Sequence, residues 1–118
     1  MAIKFPIAGE LSTGNTGLSA TTAQNCYGSG NGGDGLLATI ANNCCGFSGI
    51  GDGVYSYIAQ NCYGQSYGAN DGISAVMANS CFGYSFSGTG LVATYGNFCF
   101  GSSIYGSSVS VTYKYNMP

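Results

Sequence analysis

The sequence predicts an all-β protein, a parallel β-solenoid of five to six coils with 18 or 19 residues in each coil. Three observations support this prediction. A motif recurs every 18 or 19 residues, apolar and small residues alternate within each copy, and 21 of the 118 residues are glycine. Alternation is the periodicity of a β-strand, and frequent glycine and β-branched residues disfavour helix. Each copy is too short for a strand–helix–strand unit, so we expect one coil per copy.

The chain divides into three parts on this interpretation. Residues 1–16 do not match the repeat and are expected to form an N-terminal cap or a partial coil. Residues 17–108 hold five copies of the pattern Gly, aliphatic, x, small, x, x, small, x, Asn or a similar residue, Cys, aromatic, Gly, x, Ser. Residues 109–118 are expected to be a C-terminal partial coil or cap, because Val109 follows Leu91 by 18 residues and begins a sixth copy.

Three sets of equivalent positions are expected to fill a narrow interior. The first is aliphatic and should form the core, and the others are small residues two and five positions later, the last of them at a bend where the walls come close. The sets are Leu18, Leu36, Val54, Ile73 and Leu91; Ala20, Ala38, Ser56, Ala75 and Ala93; and Ala23, Ala41, Ala59, Ala78 and Gly96.

The repeated cysteines are predicted to form a buried ladder, since free Cys packs as a small hydrophobe. Stacked, parallel Cβ atoms would lie about 4.8 Å apart, beyond the roughly 3.5–4.5 Å of a disulfide, so mostly free thiols are expected. A thiolate metal site is the alternative, but a straight column does not converge tetrahedrally. The ladder comprises Cys26, Cys44, Cys62, Cys81 and Cys99.

Cys45 directly follows a ladder cysteine and should therefore face the other way. We expect it to be an exposed cysteine, open to reaction or to intermolecular contact, although no neighbour in the sequence would activate its thiol.

An aromatic wall is predicted on the outer surface, because alternation places the residue after each cysteine outside. Exposed aromatic surface of this extent is typical of an interface or a ligand platform. The alternative arrangement has the rings inside and the cysteines outside, but the recurrent glycine two residues after each cysteine fits better between close walls. The wall comprises Tyr27, Tyr63, Phe82, Phe100, Phe47 and Tyr84.

Asp34, Asp52 and Asp71 each precede the glycine that opens a coil, and Asp-Gly is a turn signal. A weaker alternative is calcium bound between neighbouring carboxylates, although the nonapeptide calcium pattern is missing.

Asparagines at the turn before the cysteines are expected to stack as amide ladders and to satisfy backbone groups at a bend. They are Asn25, Asn43 and Asn61, with Asn42, Asn79 and Asn97 one position earlier.

The composition argues against several classes of function. Charged residues make up only 5% of the chain, the net charge is −2, and both Arg and His are missing. Nucleic-acid binding needs a basic face, and no apolar run approaches the roughly 18 residues of a membrane span. A catalytic triad needs His, and a single column of equivalent carboxylates cannot supply the opposed roles of glycoside hydrolysis. We therefore expect no enzyme, no cofactor, no nucleic-acid partner and no membrane insertion.

The motif GLxAxxAxNCYGxS, with the terminal segment KYNMP, resembles the cysteine- and glycine-rich repeat region of bacterial right-handed parallel β-helix repeat proteins. The resemblance covers residues 17–118. It implies a right-handed coil and a longer, exported parent protein, and hence an extracellular or cell-surface location. It supplies no activity and no site to transfer. The first nine residues do not have the pattern of a secretory signal.

The expected function is a non-enzymatic structural or self-assembling module of an extracellular or surface filament. A solenoid ends in open strand edges, and sparse charge lowers the barrier to association of copies head to tail or side by side. The alternative is a polysaccharide-binding module that uses the aromatic wall. Ice binding is less expected, because the outward positions lack a regular threonine array.

Overall fold

A computed structural model describes residues 10–11 and 16–117, and within them every regular element is a β-strand. Coils contribute one four-residue and one seven-residue strand each, joined by a bend and a turn. The strands are β1 (Glu10–Leu11), β2 (Leu18–Gln24), β3 (Tyr27–Gly30), β4 (Leu36–Asn42), β5 (Cys45–Ser48), β6 (Val54–Gln60), β7 (Tyr63–Ser66), β8 (Ile73–Asn79), β9 (Phe82–Ser85), β10 (Leu91–Asn97), β11 (Phe100–Ser103) and β12 (Val109–Tyr115).

Two parallel sheets run along the molecule, and together they confirm the predicted β-solenoid. The short-strand sheet has the order β1-β3-β5-β7-β9-β11, and the long-strand sheet has the order β12-β10-β8-β6-β4-β2. Each strand therefore pairs with the equivalent strand of the next coil, as a repeat of this length requires. The stack has principal extents of 37 × 25 × 16 Å. None of its described elements is a helix that could cross a membrane.

The register places equivalent residues of successive coils in columns. Leu36 pairs with Leu18 on one side and with Val54 on the other. The one 19-residue interval keeps this alignment, because Ser48 pairs with Ser66 and Val54 pairs with Ile73. The extra residue therefore lies in the turn after β7, where it leaves both sheets undisturbed.

The interior is built from the predicted columns. The aliphatic set and the Ala23 set are buried in every coil, and the cysteines complete the same core cluster. The set that includes Ala38 is less uniform, since Ala20 and Ala75 are only half-buried. Four narrow columns of small and aliphatic side chains thus replace the bulky core of an ordinary domain.

Each long strand bends at its fourth residue. The ladder pairing passes from Ala38 to Ile40 without Thr39, and both Thr39 and Ile40 are exposed before Ala41 returns to the interior. Two consecutive outward residues split the outer face of the long-strand sheet into two strips. Simple alternation along the whole strand does not describe this surface.

The recurrent glycine of the short strands is required by the close approach of two backbone segments. A Cβ on Gly46 would lie 2.0 Å from the carbonyl oxygen of Gly53, and one on Gly64 would lie 2.1 Å from that of Gly72. The turn that leads into each long strand therefore packs directly on the short strand. This contact makes the interior thin.

A left-handed residue precedes the cysteine position in every coil. Its φ lies between 52° and 55°, a region that asparagine tolerates better than most residues. Asn116 has the same conformation, so Met117 takes the cysteine position in the last coil. These residues are Asn25, Asn43, Asn61, Ser80, Phe98 and Asn116.

Candidate functional site

The cysteine ladder lies inside, with each of its five side chains at most 4% exposed. None of the five forms a disulfide, and each sulfur lies 3.2–3.3 Å from the carbonyl oxygen two residues earlier. That carbonyl belongs to the residue before the left-handed bend. A thiol therefore fits better here than alanine, because it adds a weak donor at the bend while it packs as a small apolar group.

Neighbouring thiols of the ladder are also hydrogen bonded to one another. Hydrogen bonds with Cys44 and Cys81 raise the pKa of Cys62, and the same bonds lower the pKa of Cys44 and of Cys81. No group of three or more metal-ligating side chains within residues 16–117 is arranged to hold an ion.

Cys45 differs from the prediction of an exposed, reactive cysteine. It does lie in the outward column, where it pairs with Tyr27 and with Tyr63. It is nevertheless only partly exposed, and burial raises the pKa of its thiol, with a further rise from Cys44. This arrangement disfavours the reactive thiolate.

The aromatic wall lies on the outer face of the short-strand sheet. Its rings form a continuous series, with centroids 5.2 Å apart for Tyr27 and Phe47, 5.8 Å for Phe47 and Tyr63, and 5.4 Å for Tyr63 and Phe82. Phe100, at the end of the sheet, is 63% exposed. Tyr84, the remaining predicted member, is half-buried in the column that also contains Phe47.

The rings of this wall use their faces to contact each other. Tyr63 and Phe82 are stacked with only 13° between their planes, and the hydroxyl of Tyr63 donates to the Gln65 side chain at 2.9 Å. Sugar recognition by aromatic residues needs open ring faces for stacking. The planes of the other two pairs are inclined to each other by 41° for Tyr27 and Phe47 and by 61° for Phe47 and Tyr63, so the wall is not a flat platform.

The aspartate column forms a ladder of hydrogen bonds between coils. Oδ1 of Asp34 accepts from the backbone N–H of Asp52 at 3.0 Å, and Oδ1 of Asp52 accepts from that of Asp71 at 2.8 Å. Asp71 accepts in the same way from Thr89. Each carboxylate is therefore used to join two turns, which favours the structural interpretation over a calcium site.

Burial raises the pKa of Asp52 to about 6. The hydrogen bond from Asp71 opposes this rise, while the charges of Asp34 and Asp71 add to it. Burial also raises the pKa of Asp34 and of Asp71. The column therefore holds stacked like charges at neutral pH, at a cost to stability.

The asparagines satisfy the prediction only in part. Their main contribution is the left-handed backbone before the cysteines, whereas amide-to-amide bonds occur at the C-terminal end. Asn97 donates to Asn79 at 3.4 Å, and Asn116 donates to Asn97 at 3.0 Å.

A serine column joins the short strands to the turns and was not assigned a role from the sequence. Oγ of Ser66 donates to the carbonyl of Gly51 at 2.8 Å and accepts from the N–H of Gly68. Ser48, Ser85 and Ser103 each donate to the carbonyl 15 residues earlier. The serine four positions after four of the five ladder cysteines was the available signal, but the spacing alone does not identify the acceptor.

A second outward column, on the long-strand sheet, is apolar. It follows the bend in each coil, and five coils contribute a large side chain, with the last two rings stacked at 5.1 Å between centroids. Tyr95 is 43% exposed and borders a shallow depression. We call this column the apolar stripe, and it comprises Ile40, Ile58, Met77, Tyr95 and Tyr113.

The C-terminal end of the stack presents open strand edges. Leu91 donates its backbone N–H to Ser108, and Phe98 donates to Tyr115. Val109 and Asn116 hold the equivalent positions one coil later. Within the described residues β12 is the edge strand of its sheet, and no strand pairs with its outer side.

Comparison with protein-family models, with curated proteins and with solved structures finds no match. The resemblance of the repeat to bacterial parallel β-helix repeat proteins therefore stays a hypothesis. The fold and the geometry of the surface are the basis for any functional proposal.

Proposed function

We propose that this chain is a non-enzymatic structural module that self-assembles through the outer face of its long-strand sheet. The apolar stripe carries this proposal. Its five side chains are aligned across successive strands, and three of them, Met77, Tyr95 and Tyr113, are between 43% and 51% exposed. Contiguous exposed apolar surface is typical of protein interfaces.

The surroundings of the apolar stripe support association with a second copy of the chain. Leu37, Tyr55 and Tyr57 extend the apolar surface beyond the bend, and each is at least 37% exposed. The sequence has only two lysines and four acidic residues, so little like-charge repulsion opposes contact between copies. Two copies that meet through the strips that hold the apolar stripe would have these sheets about 10 Å apart.

Polysaccharide binding ranks below assembly because the rings of the aromatic wall are inclined to one another and do not form a flat platform for sugar rings. The placement in an extracellular or surface fibre rests on the resemblance of the repeat. Fractionation of producing cells tests that placement, and recovery of the protein only in the cytoplasm would contradict it.

The assembly proposal is tested by sedimentation velocity and electron microscopy over a range of concentrations. The wild type should form oligomers or fibres as its concentration rises. Met77→Lys should weaken this association at least tenfold, because it places a charge within the proposed contact. Tyr67→Lys, at an exposed turn position away from the long strands, is the matched control and should assemble normally. A wild type that stays monomeric at millimolar concentration would contradict the proposal.

A further inference from the structure

The last coil departs from the repeat at an inward position of its long strand. Lys114 pairs with Gly96. The column that these two residues share holds alanine in each of the four coils before Gly96. Every other member of that column is buried. Lys114 is exposed, because no described coil covers it. The register thus puts a lysine where the fold elsewhere admits only a methyl group or a hydrogen atom.

A second departure lies beside the first. Met117 takes the position of the ladder cysteines and packs, partly buried, against the core cluster. Its sulfur lies 2.9 Å from the place that a Cβ on Gly96 would occupy. The longer side chain therefore reaches across the interior and fills the space left by the glycine. It closes the inside of the solenoid at this end.

These two residues bear on what can bind the open edge of β12. A second copy that continued the solenoid would pair with β12 and cover Lys114 with a new coil. The interior has little room for an ammonium group at this position, since the column that Lys114 joins otherwise holds only buried alanine and glycine. Burial of a charge without a partner strongly opposes association. Inward-pointing charges on edge strands prevent edge-to-edge pairing for this reason.

We propose that Lys114 and Met117 form a C-terminal cap that blocks end-to-end addition of a second copy, so that copies associate only side by side. The side-by-side part rests on the proposed function, whereas the block at the end does not. The sequence leaves open both head-to-tail and side-by-side association, and the cap allows only the side-by-side mode.

The test restores the repeat at the capped positions. Lys114→Ala introduces the residue usual in its column, and Met117→Cys can be added to restore the ladder. Lys114→Arg keeps the charge and is the matched control. Sedimentation velocity measures association, and electron microscopy measures growth along the rod axis. Hydrogen exchange of the Val109 and Asn116 amides reports pairing at the open edge.

The cap predicts that Lys114→Ala raises the end-to-end association constant at least about 100-fold and that the double variant raises it further. Rods should lengthen in steps of about 30 Å, the height of six coils. The two edge amides should become protected from exchange. The wild type and Lys114→Arg should show neither change.

The outcomes separate the cap from the proposed function. Elongation of Lys114→Ala with a strictly monomeric wild type would support the cap and contradict self-assembly. Equal behaviour of Lys114→Ala and the wild type would overturn the cap, whether or not they associate side by side. End-to-end growth of the wild type would also overturn it.

Discussion

At the scale of single residues, each position of the repeat can be compared with the equivalent position in the neighbouring coils. A residue that differs from its column therefore shows what that position requires. Ser56 lies between Ala38 and Ala75 in its column, and its buried hydroxyl has no hydrogen-bond partner among the described residues. Ser66 is equally buried, yet its hydroxyl both donates and accepts. The same residue type therefore has opposite effects at the two positions.

Ser56→Ala should raise the free energy of unfolding by about 1 kcal/mol, because it removes a desolvated hydroxyl and restores the usual residue of the column. Ser66→Ala should lower it by about 2 kcal/mol, because the carbonyl of Gly51 and the amide of Gly68 lose their partner. Urea unfolding followed by circular dichroism measures both. A loss of stability in Ser56→Ala would show that the hydroxyl has a partner.

The aspartate column predicts a pH dependence of stability. The pKa of Asp52 rises from its ordinary value of 3.8 to about 6 in the folded chain. The folded state therefore binds more protons than the unfolded state in this window, and the contribution of Asp52 to stability falls as pH rises from about 4 to 6. That contribution is fully present below pH 4.

Asp52→Asn keeps the acceptor for the N–H of Asp71 and removes the charge. Thermal unfolding at pH 7.5 should show a gain of up to about 1 kcal/mol over the wild type, allowing for solvent screening, with little difference at pH 4. Asp52→Ala is the control and should lose stability at both pH values, because it removes the acceptor. The same gain at pH 4 and pH 7.5 would exclude titration of Asp52 as its cause.

At the scale of the elements, the short strands depend on glycine for a reason that differs from backbone flexibility. At Gly64 an added Cβ would collide with the backbone carbonyl of Gly72, which is held by a hydrogen bond from the N–H of Val54. At Gly96 the nearest atoms are the ends of the Met117 and Val111 side chains, which can move. The two glycines should therefore respond differently to the same substitution.

Gly64→Ala should destabilise the fold by about 3 kcal/mol or more, since the short strand must separate from the turn that packs on it. Gly96→Ala should change stability by less than about 1 kcal/mol, because displacement of flexible side chains is offset by a reduced entropy of the unfolded chain. Chemical denaturation compares the two variants. Equal losses would mean that the walls are not in backbone contact at Gly64.

At the scale of the whole molecule, one property of the stack is the concealment of its thiols. All five ladder cysteines are buried and Cys45 is partly buried, so access for a thiol reagent depends on opening of coils. The coils at the ends have a neighbour on one side only. Access should therefore begin there and proceed inward, as in other repeat proteins.

Thiol titration at pH 8 should detect six cysteines after denaturation and at most one, Cys45, in the native protein. Cys45→Ser should abolish the reaction of the native protein. The slow reaction of the five ladder cysteines, which requires the coils to open, should not change. Cys62, in the middle of the stack, should be among the last to react. Rapid reaction of two or more native thiols would contradict a buried ladder.

The sequence by itself determined the coil length, the number of coils and the residues that face inward. These follow from an 18-residue period and local alternation, both of which can be read from the chain. The interior columns of Leu36 and Ala41 and the ladder at Cys44 lie where this pattern places them. The wall at Tyr63 also faces outward as the pattern indicates.

Only the tertiary structure decided how much of each outward residue reaches solvent and which groups it contacts. Cys45 is in register with residues 18 positions away and is only partly exposed, and Ser66 bonds to a turn 15 positions earlier. The inward position of Lys114 likewise follows from its pairing with Gly96 in the coil before it, and its exposure follows from the place of β12 at the edge of the described sheet. Contacts between coils set these properties, because a local pattern fixes the direction of a side chain but not the neighbours that surround it.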